Sequence, residues 1–168
     1  PIIQYSIEAA QRSFLFDRIV VSTDSREIAA VARKCGAKVS MRSPAMSRDE
    51  VGTQEVARDF LKTYGRGKNI TELCVIYATA PLLAVEDLVE GHDVLQMGYT
   101  QYVMSVGTTP ALHDAGQFYW GKKGAFAYYL QLLEEWTRMI PIDPSRDCDI
   151  NTPADWLRAE QMFLDLRR

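Results

Sequence analysis

Cysteine and histidine are scarce in this sequence, at three and two in 168 residues. Cys35, Cys74 and Cys148 form no CxxC pair, and His92 and His113 have no partner at metal-ligand spacing. Structural zinc and thioredoxin-type chemistry are therefore not indicated. The thiols read as small core residues suited to a reducing cytoplasm. Neither sign of charge dominates, since 19 Lys+Arg stand against 22 Asp+Glu for a net −3. So balanced a chain lacks a polyphosphate-coating surface, which argues against broad nucleic-acid binding. Long apolar runs are missing too. The longest uncharged one, Leu73 to Val85, contains Pro81 and falls short of a bilayer, so no membrane span is expected. Pro1-Ile2-Ile3 carries neither a basic region nor a cleavage site, and no secretory leader is expected. There are no repeats, low-complexity tracts or linkers. With 47% hydrophobic and 24% charged residues, the chain reads as one globular domain over 1–168. That length buries a core without disulfides or a structural metal.

Periodicity predicts helices alternating with strands. Pro1 to Ser13 has Ile2, Ile3, Ile7 and Ala10 on one helical side, and Arg18 to Ser22 is a short β-rich run. A helix follows on the capping-box pattern Asp24-Ser25-Arg26-Glu27 and stops at Gly36. Ala37 to Met41 reads as a second strand. Ser47-Arg48-Asp49-Glu50 suggests another helix start, with Val56, Ala57, Phe60, Leu61 and Tyr64 recurring at helical spacing. Leu73 to Tyr77 is apolar on both faces, as in a strand between helix layers. Then come a helix over Val85 to Met97, a strand at Tyr102 to Val106 and a further strand at Gln117 to Trp120. A helix over Ala125 to Leu133 and a short strand at Arg138 to Ile142 precede the last helix. That helix has Thr152 as N-cap and Pro153 at its first position. The alternation implies an α/β domain with a largely parallel sheet. Ligands of such sheets bind outside the carboxyl ends of the strands, here the loops after Ser22, Met41, Tyr77 and Ile142.

Several loops hold residues a plain connector does not need. Asp24 ends a strand, and its plainest role is a helix N-cap. Arg42, with Ser43, Ser47, Asp49 and Thr53 beyond, could hold a phosphate or a base edge, or simply face solvent. The small residues of Tyr77-Ala78-Thr79-Ala80-Pro81 either admit a ligand to the backbone or form a turn. His113-Asp114-Ala115-Gly116-Gln117-Phe118-Tyr119-Trp120 suits a polyhydroxylated substrate, or else is a half-buried aromatic strand. Asp147-Cys148-Asp149-Ile150-Asn151-Thr152-Pro153 gathers hard oxygen donors of the kind Mg²⁺ takes, or is a capped turn. If extended, it places Asp147, Asp149 and Asn151 on one side.

Taken in order, these loops resemble the cytidylyltransferases that activate nine-carbon acidic sugars. Ile19-Val20-Val21-Ser22-Thr23-Asp24-Ser25-Arg26-Glu27-Ile28-Ala29 is similar to the family's V-S-T-D-x-x-E-I-A segment. Arg42-Ser43-Pro44-Ala45-Met46-Ser47-Arg48-Asp49, then Gly52-Thr53, resembles R-x-P-x-x-L-S-x-D. Thr79-Ala80-Pro81-Leu82 matches T-S/A-P-L, and Asp149-Ile150-Asn151-Thr152-Pro153-Ala154-Asp155-Trp156 matches D-I-D-T-P-E-D-W. Within the family, Tyr77-Ala78-Thr79-Ala80-Pro81 and Asp114-Ala115-Gly116-Gln117-Phe118-Tyr119-Trp120-Gly121 point to the branch that activates pseudaminic acid.

The resemblance implies a three-layer Rossmann-like nucleotide-diphospho-sugar transferase fold with a mostly parallel sheet. It also implies a cytoplasmic homodimer using CTP, an acidic sugar and Mg²⁺. It assigns Arg42 and Thr53 to the nucleotide, with Asp24 in support. Thr79, Asp114, Gln117 and Tyr119 go to the sugar, with His113 as a further contact. Asp149 and Asn151 take the catalytic metal, aided by Asp147. Three departures stand out. The family's opening strand and Gly/Arg/Lys-rich phosphate loop have no counterpart after Pro1. The family's longer insertion is absent near Pro110-Ala111. Asn151 stands where a second metal-binding Asp is common. Other readings are activation of N-acetylneuraminic or legionaminic acid, a non-catalytic nucleotide- or sugar-binding relative, and a nucleotidyltransferase for another acceptor.

Overall fold

The computed structural model describes residues 1–128 and 130–167. Six helices and six strands follow one another: α1 (Ile3–Ser13), β1 (Val20–Thr23), α2 (Arg26–Lys34), β2 (Lys38–Met41), α3 (Thr53–Lys62), β3 (Glu72–Ile76), α4 (Val85–Leu95), β4 (Tyr102–Gly107), β5 (His113–Lys122), α5 (Lys123–Ala127), β6 (Thr137–Pro141) and α6 (Pro153–Asp165). β1 and β2 form a parallel pair. The remaining strands form a sheet in the order β3-β5-β4-β6. In it β3, β4 and β6 run the same way and β5 runs against them.

Alternation along β4 and β5 divides the core into two layers. Val103, Phe118 and Trp120 face Ala9 of α1 and Leu88 and Leu95 of α4. Tyr102, Met104 and Tyr119 face Ala57 of α3 and Ala125 and Phe126 of α5. The sheet is thus covered by helices on both faces, giving the three-layer α/β architecture expected from the sequence. Trp120 anchors the first layer, stacked on Phe16 at 5.0 Å and donating Nε1–H to the Leu88 carbonyl. The register slips between Met104 and Val106. There the Ser105 hydroxyl both donates to the Phe118 carbonyl and accepts from the Phe118 amide, replacing the missing ladder bonds. Among the described residues, no helix is long and apolar enough to cross a membrane.

Several boundaries differ from the periodicity reading. Ser25, not Asp24, caps α2, accepting from the Ile28 amide at 3.2 Å. The helix expected from Ser47 begins at Thr53, behind Gly52. Ser47 instead closes a 3₁₀ turn, its hydroxyl donated back to the Ser43 carbonyl and so lost as a cap. β5 is longer than expected at both ends. The helix expected over 125–133 stops at Ala127, where Leu130 N–H bonds back to the Ala125 carbonyl. Tyr129, within that span, lies outside the described residues. Thr152 and Asp155 cap α6 reciprocally, as its sequence required.

Gly121 is where the second layer has least room. A Cβ there would lie 2.5 Å from Phe126 and 2.6 Å from Tyr102, both rings fully buried. Gly121→Ala should therefore cost about 1–3 kcal/mol by overpacking. Thermal unfolding should show a melting point lower by about 2–4 °C per kcal/mol; an unchanged midpoint would mean that these rings are free to move.

Candidate active site

Because β5 runs antiparallel, its first residues lie at the carboxyl ends of β3 and β4. Ile76 pairs with Phe118 and Val106 with Asp114, and the Tyr77 amide bonds the Gln117 carbonyl at 2.9 Å. The β6–α6 connection crosses this same end. Its Ile150 amide bonds the Thr79 carbonyl at 3.0 Å, while Cys148 is buried beneath with Leu82 and Ala159. Burying residue 148 turns Asp147 and Asp149 together toward β5, as extended alternation predicts.

Asp149 sits on Gly116. A side chain at 116 would come within 2.8 Å of the Asp149 carboxylate, and Gly116 also adopts a left-handed φ of +59°. Asp114 closes that turn, its Oδ1 accepting from the Gly116 amide at 2.8 Å. Asn151 donates Nδ2–H to Asp149 Oδ2 at 2.8 Å, whereas Asp149 Oδ1 is buried without a partner. Asp147 Oδ2 is 3.1 Å from His113 Nε2, and His113 Nδ1 is 2.8 Å from the Ala111 carbonyl. Among the described residues, no three His, Cys, Asp or Glu side chains form a ready-made metal cage. One oxygen of Asp147 is thus committed to His113.

Thr53, at the start of α3, places its hydroxyl 3.1 Å from Tyr77 OH. Tyr119 lies behind Tyr77, ring centroids 6.3 Å apart, with its hydroxyl buried and unbonded. Burial pushes the Tyr77 phenol above its usual range. The Thr53 hydroxyl opposes this, while the charges of Asp114 and Asp149 add to it. Burial also raises Tyr119 strongly. Gln117 is fully buried, and its Nε2–H is donated to the Arg146 carbonyl at 2.7 Å. Its Oε1 has no partner.

Thr53, Thr79, Asp114, Gln117, Tyr119, Asp149 and Asn151 are therefore tied into one region. Arg42 and Asp24 pair with each other, Nη2 to Oδ1 at 3.5 Å, at the ends of β1 and β2. No hydrogen bond or ion pair among the described residues joins them to the Asp149 group. Buried Arg42 Nε is itself unbonded. Sequence reasoning missed Tyr77 as a site residue, although it closes the apolar β3 run. It also missed Arg146 and Asp87, which no local signal marks. Beside the cluster, a groove of about 900 Å³ between the β4–β5 hairpin and α6 is lined by His113, Asp147 and Arg158. What the region offers is acceptor oxygens and neutral phenols against a close-packed backbone turn.

Residues 1–112 match the cytidylyltransferase family. The chain belongs to that family. It is thus a nucleotidyltransferase. The pseudaminic acid cytidylyltransferase of Campylobacter jejuni subsp. jejuni serotype O:2 is 27% identical over 189 residues, covering 92% of this chain and 82% of the relative. N-acylneuraminate cytidylyltransferase A of Danio rerio is 37% identical over 197 residues, covering 98% of this chain and 45% of the relative. Both alignments exceed the 168 residues of the chain, so each relative carries residues with no counterpart here. A CMP:2-keto-3-deoxy-manno-octonic acid synthetase solved in complex with CTP shares the fold. Its TM-score is 0.77 at 12% identity, over 98% of this chain and 88% of that one.

The raised phenols set an alkaline limit on stability. Both ionise more readily in the unfolded chain, so stability is intact below about pH 10 and falls as pH rises toward their folded values. Replacing both tyrosines, Tyr77→Phe with Tyr119→Phe, should move the alkaline unfolding midpoint upward by circular dichroism. An unmoved midpoint would contradict the assigned burial.

Proposed function

We propose that the chain transfers CMP from CTP to pseudaminic acid, releasing diphosphate. The observation that carries this is the buried, unbonded Asp149 Oδ1, on a carboxylate whose Oδ2 rests on Gly116, beside the Asp114 turn and the Tyr77–Thr53 pair. The anomeric hydroxyl of the sugar attacks the α-phosphorus, and diphosphate leaves in line. Positioning and charge neutralisation carry such a step, with little covalent work for the protein.

Asp149 and Asn151 would hold Mg²⁺, the substrate phosphates completing its shell. When bound, the ion neutralises phosphate charge and acidifies a bound hydroxyl. Asp149 Oδ1 fits this use as an orphaned hard donor. Asn151 spends its N–H on Asp149 and keeps its carbonyl oxygen as an acceptor. Asp147 contributes from the side, held by His113. Thr79 and Asp114 face the sugar, with Gln117 and Tyr119 supporting from below. Thr53 and Arg42 serve the nucleotide, and Asp24 orients the Arg42 guanidinium.

Among the described residues β1 pairs only with β2 and β3 only with β5. β1 and β3 thus each keep one unpaired side, and α1 packs against both parts through Ile7 and Ala9. The sugar-side insertion belongs between Gly107 and His113, which here pair across a short hairpin. A homodimer working in the cytoplasm completes the reading.

Diphosphate release from CTP, measured with pseudaminic, N-acetylneuraminic and legionaminic acids on the full-length protein, tests it. Pseudaminic acid should be favoured by about tenfold or more in kcat/KM. Asp149→Ala should lose about 100- to 1,000-fold in turnover while keeping its fold. Preference for another sugar would overturn the substrate, and near-normal turnover of the variant would remove the metal assignment.

A further inference from the structure

The connection bearing Asp147 and Asp149 is pinned at one residue from two directions. Arg146 reaches Asp87 in the first turn of α4, with Nη2 2.8 and 2.9 Å from the two carboxylate oxygens and Nε 3.3 Å from Oδ2. Its main-chain carbonyl meanwhile accepts from Gln117 of β5. Both partners are withdrawn from solvent: the Asp87 side chain is 8% exposed and Gln117 is fully buried. The next fixed points are buried Cys148 and the Ile150 amide on the Thr79 carbonyl. Between such anchors, spaced at no more than about 3.6 Å per residue, Asp149 has little freedom to leave Gly116.

A solvent-exposed ion pair would do little here. This one is largely withdrawn from water, forked and doubly bonded, a geometry that a lysine ammonium cannot reproduce. Among the described residues, no other hydrogen bond or ion pair joins Asp87 to the site, and its influence on the cleft runs through the Arg146 backbone.

We infer that Arg146, locked by Asp87, is a positioning residue: the pair sets the acid-bearing loop so that Asp149 presents Oδ1 to the divalent cation and triphosphate. This rests on the metal role given to Asp149 above. Removing Arg146 outright would strand a buried carboxylate and endanger the fold. The informative variants are therefore Asp87→Asn and Arg146→Lys, close in size to the originals.

The probe is Mn²⁺ titrated by electron paramagnetic resonance into the full-length protein with CTP, with circular dichroism melts in parallel. Asp149→Asn serves as the reference for a lost site. Both latch variants should bind Mn²⁺ about tenfold more weakly at temperatures where they remain folded, as outer-shell changes do. A pair that only stabilises the fold would lower the melting point and leave Mn²⁺ affinity untouched, which would overturn the inference alone. If Asp149→Asn itself leaves Mn²⁺ binding unchanged, the metal role fails and the inference with it.

Discussion

The site depends on one strand running the wrong way. With β3, β4 and β6 parallel, their carboxyl ends would meet only connecting loops. β5 enters between β3 and β4 antiparallel, so its own beginning, Asp114 to Gln117, is delivered to that end as ordered, hydrogen-bonded backbone. Gly116 then provides the flat spot on which Asp149 rests. Reverse β5 and the Asp114 turn would sit at the opposite edge of the sheet, away from Tyr77 and from the β6–α6 loop.

The cost of this arrangement is visible in its polar atoms. Asp149 Oδ1, Gln117 Oε1 and Tyr119 OH are all buried without partners, and each such group typically costs about 1–3 kcal/mol. The two core layers on either face of β4 and β5 offset that, since a fully buried large apolar side chain stabilises by about 1.5–3 kcal/mol. On the proposed function, these unbonded polar atoms around a close-packed turn are the ones the ligand would pair, oriented before it arrives. The Asp87–Arg146 fork extends the same logic outward, converting α4 and β5 into a clamp on the loop.

Features with a local cause were legible in the sequence. The Thr152-Pro153 start of α6 and the apolar run of β3 each follow from a few adjacent residues; α6 begins where it was expected, while β3 lies one residue earlier and is a half-buried edge strand rather than a buried one. The boundaries that moved did so for reasons invisible to periodicity. Ser47 was drawn into a 3₁₀ turn by the Ser43 carbonyl, and Asp24 was left to Arg42 once β1 and β2 paired. The family resemblance named the candidate loops one by one, and with them Asp114, Gln117, Tyr119 and Asp149. What tied those loops together was not. Thr53 and Tyr77 lie 24 residues apart, and Asp87 and Arg146 59 apart. Such contacts exist only after the sheet has chosen its strand order, and no spacing rule along the chain anticipates them.

The most direct test of a shared cation, nucleotide and sugar cleft is a crystal structure of the protein grown with CTP and Mn²⁺, the ion located by its anomalous scattering. The account predicts an anomalous peak within coordination distance of Asp149 Oδ1, with the triphosphate oxygens completing its shell. A peak and triphosphate bound elsewhere, with Asp149 Oδ1 still without a partner, would contradict it.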